Sequence, residues 1–161
     1  MAIDPRTPVV VGVGQAAERI DDPYYRAMSA VELAAAGARA ALDDCGADVA
    51  KVAPSIDTVG GVRQFEISGP VARAPLGRSN NYPRSVSHRI DADPARAILD
   101  IVGGQGPQSL VSELAGDIAA GRSEVALVFG SDATSTTRYF ATTDNKPDFS
   151  ENVDGQLEDR G

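Results

Sequence analysis

Cysteine, tryptophan and histidine are nearly absent: the 161 residues contain one Cys, one His and no Trp. A lone Cys45 excludes a disulfide framework and a cysteine-rich zinc site. A single histidine, His88, leaves no His cluster for a metal. Aromatics make up only 5%, so a core has to be assembled from Ala, Val, Ile and Leu. No apolar run approaches the ~20 residues that a membrane-spanning helix needs. Met1–Arg6 carries two charges, and the apolar run after it is too short for a signal peptide, so a cytoplasmic setting is the expectation. The net charge of −8 argues against nucleic acid as the main partner.

What is present is a globular composition, 42% apolar and 24% charged, in 16.7 kDa, enough for one ordinary domain. The charges are segregated. Six acids lie between Asp144 and Gly161 against Lys146 and Arg160, so this tail holds half of the net charge. It reads as a solvated segment. Between Arg63 and Arg96 six arginines face only Glu66, Asp91 and Asp93. They could meet phosphates, but scattered surface arginines are the preferred reading.

Residues 8–13, Pro-Val-Val-Val-Gly-Val, form a short β-branched run of the kind expected for a strand buried on both faces. Ser29-Ala-Val-Glu32 is a capping box, and Val31, Ala34, Ala35, Ala38 and Leu42 recur at helical spacing. A helix is therefore expected over about 30–44, with Gly46 as its left-handed terminator. Residues 55–62 read as a second strand. Gly69, Pro70, Pro75, Gly77 and Pro83 then break any regular element, leaving room for a short helix near 84–90. Residues 95–102 read as a third strand, and Gly103-Gly104-Gln105-Gly106 turns into a helix with Pro107 in its first turn and Gly121 at its end. Residues 125–130 read as a fourth strand; past Asp132 the chain becomes polar and irregular. The alternation predicts an α/β sheet, mixed and mostly parallel, with helices on both faces. Ligands then belong beyond the carboxyl ends of the strands.

Gly12-Val-Gly14-Gln-Ala-Ala17 follows the first apolar run and matches G-x-G-x-x-A, a dinucleotide fingerprint. That motif requires a helix to open at the glycines, whereas here Asp21-Asp22-Pro23 intervene; a tight strand exit accounts for it better. The turn at Gly103, Gly104, Gln105 and Gly106 aims backbone N–H groups and a helix N-terminus beyond a strand, either a candidate anion site or a turn that uses glycine merely for backbone geometry. It carries no Cys or Ser between Val102 and Gln108. Cys45, at a helix end, reads as a structural thiol, and His88 as a solvated or capping group.

Thr7–Gln15, Ser29–Gly46 and Gly104–Gly130 together resemble the N-terminal half of a thiolase-superfamily protein, of the acetyl-CoA acetyltransferase or sterol-carrier-protein-thiolase type. The resemblance spans about residues 6–140. It implies a thiolase-like α/β domain over 1–133, incomplete on its own, and the start of an inserted loop domain or an acidic tail over 134–161. It implies acyl transfer in lipid metabolism, with coenzyme A or acyl-CoA as ligand, no covalently bound cofactor and no metal. In the family a nucleophilic cysteine opens the helix that ends at the position of Gly121, seventeen residues later. Counting back places Gly104 there. The resemblance therefore carries over no catalytic residue, and implies acyl-CoA binding without thiolysis. Because the family has two similar halves, it also implies a second polypeptide, or the remainder of the same precursor, as partner. An assembly subunit and, less favoured, a dinucleotide-binding domain are the alternatives.

Overall fold

The computed structural model describes residues 4–68 and 74–161, apart from the side chain of Glu66; Gly69, Pro70 and Arg73 lie outside the described residues. The capping box folds as expected. Ser29 Oγ accepts from Glu32 N–H at 3.2 Å and Glu32 Oε2 accepts from Ser29 N–H at 2.7 Å, opening helix α1, Ala30–Asp44. The backbone at Gly46 is left-handed, φ +67°. A second helix follows, α2, Val49–Ser55, capped by the Asp48 carboxylate and containing Pro54 in its last turn. Strand β1 is thus only Thr58–Val62, shorter than the 55–62 run suggested, because Asp48 starts a helix that the proline then ends. A one-turn 3-10 helix, Phe65–Ile67, precedes α3, Tyr82–His88, which begins two residues earlier than anticipated. Strand β2 is Arg96–Asp100, α4 is Gly106–Ala119 and β3 is Ala126–Phe129. The stretch beyond Asp132 is not irregular throughout. It holds α5, Thr134–Ala141, and a two-residue strand β4, Glu158–Asp159.

The sheet order is β3-β1-β2-β4, and every pairing among the described residues is parallel. Side chains alternate across it. Leu99, Leu127 and Phe129 join a core with α1, α2 and α3, through Ala35, Ala53, Tyr82 and Val86. Ile98, Val62, Ala126 and Val128 face Leu110 and Leu114 of α4 on the other side. Helices therefore cover both faces, as expected.

Residues 8–13 form no strand. The segment is extended but unpaired, and Val9, Val10, Val11 and Val13 are 71, 77, 62 and 68% exposed. It lies along α1, where a Cβ on Gly12 would overlap the Ala41 carbonyl and one on Gly14 the Gly37 carbonyl. The Gly-x-Gly pattern is required by this close approach to a helix flank. No helix opens at the glycines, so they form no phosphate cradle.

The acidic tail remains largely exposed, as its composition suggested, but it is tied to the body of the fold. Asn80 exchanges hydrogen bonds with the Val153 backbone (3.3 and 2.8 Å), Asn81 donates to Gly155 C=O and Arg84 Nε to Gln156 C=O. Arg89 grips Glu151 with two bonds of 3.0 and 2.5 Å. Three arginines of the middle segment, Arg63, Arg89 and Arg96, find carboxylates in the tail at Asp159, Glu151 and Glu158.

Candidate functional site

Beyond β1 the chain crosses by α3 over one face, and beyond β2 it crosses by α4 over the other. Adjacent connections that leave in opposite directions open a crevice at the carboxyl ends of β1 and β2. Three loops meet at this edge: Arg63–Ser68, Ile101–Gln105 and Gly130–Ala133. Phe65 N–H donates to Asp132 Oδ1 at 2.9 Å, tying the first to the third.

The glycine turn lies here. Gly103 has φ +144°, a conformation reserved in practice for glycine. Gly106 N–H closes the turn on Gly103 C=O at 3.0 Å, and Ser109 N–H reaches Gln105 C=O at 2.9 Å. A Cβ on Gly106 would come within 3.2 Å of Ile101 O and of Val62, so this residue lets α4 start flush against β1. No side chain caps α4; with Gly106 and Ser109 N–H engaged and Pro107 lacking one, Gln108 N–H is the first-turn donor left at the positive end of the helix dipole. A Cβ on Gly104 would meet nothing within 4 Å. Space for a side chain exists at this position and the sequence leaves it empty.

The charged groups at the turn and along α4 are committed to partners. Arg63 pairs with Asp159, and its backbone N–H donates to Asp100 C=O. At the amino end of β2, away from the turn, Arg96 binds Glu158 (2.6 and 2.9 Å), Asp117 (2.8 Å) and Glu113 (3.0 Å). Both Nη atoms of Arg160 reach Glu113, at 2.7 and 2.8 Å. Arg160 above all, and then Arg96, outweigh partial burial and hold the Glu113 carboxyl at about 2. Burial pushes the Tyr82 hydroxyl far above its ordinary value, although Ser131 Oγ beside it draws it partly back; the two buried oxygens face each other without a hydrogen bond of ordinary geometry. At the opposite end of the sheet, burial pushes the Asp57 carboxyl up. Hydrogen bonds from Ser123, Glu124 N–H, Thr58 and Val125 N–H outweigh that and set it below the aspartate norm.

Gly103, Gly104, Gln105 and Gly106 are thus brought to the expected place, the mouth of a parallel sheet. Cys45 is not: it follows α1, on the face opposite α4, and its thiol donates to Leu42 C=O at 2.8 Å. His88 ends α3 and is exposed. No group of three or more His, Cys, Asp or Glu suited to a metal occurs among the described residues, and no described helix is long and apolar enough to cross a membrane. Sequence reasoning missed the Arg96–Glu113–Arg160 hub, whose members lie 17 and 47 residues apart. Only the six-arginine excess hinted at it.

A parallel sheet with α1 and α3 on one face and α4, entered through a glycine turn, on the other defines a thiolase-like α/β fold. Among solved structures the chain matches a monomeric SCP2-thiolase-like protein type 1 from Mycobacterium smegmatis, with 51% sequence identity over 81% of this chain and a TM-score of 0.65. The chain spans about a quarter of that protein, 24% of its length. No family model and no curated protein matches the chain.

Proposed function

We propose that the chain is a thiolase-like acyl-CoA-binding homologue of lipid metabolism. On this reading it holds a thioester at the α4 turn without cleaving it. It acts in a cytoplasmic setting, together with a second polypeptide or the remainder of a longer chain. The observation that carries the reading is Gly104. By resemblance it stands where the family keeps its nucleophile, and it lies on an uncapped helix start with open space above its Cα. Without a thiolate there is no covalent acyl intermediate, and ping-pong transfer cannot run through this residue. What remains is the Gln108 N–H at the positive end of the α4 dipole, which favours a polarised thioester oxygen or a phosphate.

The assembly-subunit reading has its own support. Val111 of α4 is 43% exposed on the helix that, in the family, is covered by the second half.

Two measurements test the proposal. Incubation with acetyl-CoA followed by intact-mass analysis is expected to leave the mass unchanged. An acetyl adduct on Cys45 that CoA discharges would overturn the non-catalytic part. Calorimetric titration is expected to show weak, saturable acyl-CoA binding that Gly106→Val abolishes by displacing α4 from Val62; absence of heat at millimolar ligand would overturn the binding part. Gly104→Cys alone is expected to remain inactive, because no histidine stands near to lower the thiol pKa.

A further inference from the structure

We propose that the two-residue strand β4 is a releasable guard on the edge of β2, and that the partner it excludes is a second copy of this chain. The inference does not depend on acyl-CoA binding. It concerns the side of the sheet away from β3, where β4 is the last strand.

Strand β2 is apolar at its centre and covered on both faces. Ala97, Ile98 and Leu99 are buried, with Leu99 in the core under α3 and Ile98 in the core under α4. Arg96 N–H donates to Asp57 C=O, and Asp100 C=O accepts from Arg63 N–H, so these two residues turn their polar groups toward β1. The alternation of a parallel ladder then turns the N–H and C=O of Ala97 and Leu99 to the outer edge. Such an edge is a template for pairing with another chain. Two identical edges related by a two-fold axis meet antiparallel, so this one is complementary to itself.

Glu158 and Asp159 occupy the edge instead. They stand opposite Ile98 and Leu99, and Arg160 N–H donates to Leu99 C=O at 3.0 Å. Charged residues on a very short strand are one way native sheets blunt an edge. Strand propensity does not hold them there, since Glu and Asp are depleted from strands. Side-chain charges do: Glu158 on Arg96 (2.6 and 2.9 Å), Asp159 on Arg63, and Arg160 on Glu113 (2.7 and 2.8 Å). Leu157 adds one apolar contact to the core. The Glu158 and Asp159 side chains are 47 and 50% exposed, so solvent and salt weaken this hold.

The tail upstream is anchored separately. Arg89 grips the Glu151 carboxylate, and the Glu151 backbone bonds to Arg78 C=O and Asn80 N–H. Asn81 and the buried Arg84 hold the carbonyls of Gly155 and Gln156. Residues 157–160 can therefore leave β2 while the stem stays in place, and the tether keeps them close enough to return. With the guard down, β2 is sealed; with it lifted, β2 is open to a second copy.

Charge reversal in the intact chain tests the guard. Glu158→Lys combined with Asp159→Lys sets like charge against Arg96 and Arg63 and lifts it. Exchange of the Leu99 amide, followed by NMR, is expected to be about tenfold or more faster in this variant than in the unsubstituted chain when both are dilute. It should slow again as the variant is concentrated, while the unsubstituted chain shows no such dependence, and sedimentation velocity should show the variant passing from one copy to two over the same range. If the double variant does not fold, two further measurements serve. Arg160→Pro removes the N–H on Leu99 C=O, and 1 M NaCl screens the three ion pairs of the unsubstituted chain; both should bring out the same concentration dependence at Leu99. Unchanged Leu99 exchange under every one of these conditions overturns the guard. Faster exchange that no concentration slows overturns the second copy as its partner. Association that leaves Leu99 unprotected does so too, since the contact then lies elsewhere on the chain.

Discussion

Replacing Glu113 by Gln should cost stability at neutral pH and nothing in strong acid, and the hub geometry sets the size of the loss. Glu113 takes both Nη atoms of Arg160 and one of Arg96, joining α4 to β2 and to the residue that follows β4. Its carboxyl is held at about 2, against an ordinary 4.5. At ~1.36 kcal/mol per unit the displacement corresponds to about 3 kcal/mol. The side chain is 31% exposed, and solvent screening reduces what such a pair delivers, so about 1–2 kcal/mol is expected. The folded value lies below the unfolded one. The contribution is therefore complete above about pH 4.5 and disappears as the pH falls from there toward 2. Gln keeps the shape and removes the charge, while Arg160 retains Asp100 at 3.7 Å and Glu158 at 3.6 Å. Urea unfolding followed by circular dichroism at pH 7, 4.5, 3 and 2.2 measures the difference between the two proteins. Other acid-sensitive groups, Asp57 and Glu158 among them, are common to both and cancel. The gap should be open at pH 7, close by pH 2.2, and shrink in 1 M NaCl, where the Debye length is ~3 Å. Equal stability at pH 7, or a gap that persists undiminished at pH 2.2, would refute the assignment of Glu113 as the charged centre.

Leu110→Ala should destabilise by about 3–5 kcal/mol, the upper part of the range for such truncations. Leu110 is fully buried above Gly60, whose would-be Cβ stands 3.1 Å from Leu110 Cδ2, so no opposing side chain can relax into the gap; a midpoint shift equivalent to less than 1 kcal/mol would contradict this packing. NAD titrated calorimetrically should give no saturable heat, because Gly12 and Gly14 abut α1 instead of opening a helix; binding that Gly14→Val removes would restore the dinucleotide reading.

Most of what a periodic pattern encodes is legible in the chain. The α1 capping box, the glycine turn before α4 and the parallel strands around them all follow from local residue order. The apolar run at 9–13 misled because composition reports affinity for a sheet and says nothing of whether a neighbour is free to pair. α2 was hidden by Pro54, which a helix tolerates here in its last turn. α5 was hidden by the threonines and serine of Thr134–Thr137, where Thr136 is buried and hydrogen-bonded to Met28 C=O rather than to its own helix. Such long-range pairings leave no local trace.

Charge shows the same limit more sharply. Counted separately, the arginine-rich middle looked like scattered surface arginines that could meet phosphates, and the acidic tail like a solvated end. In the fold Arg63, Arg89 and Arg96 meet Asp159, Glu151 and Glu158, so the two excesses are halves of one interaction. The site gains from this arrangement. Arg63 and Asp159 stand at the carboxyl edge of the sheet, and the Arg160–Glu113 pair anchors α4, so the tail braces the helix whose N-terminus the glycine turn exposes. A tail that packs in this way positions the candidate thioester turn, and loosening it would move α4 before it touched any residue of the turn itself.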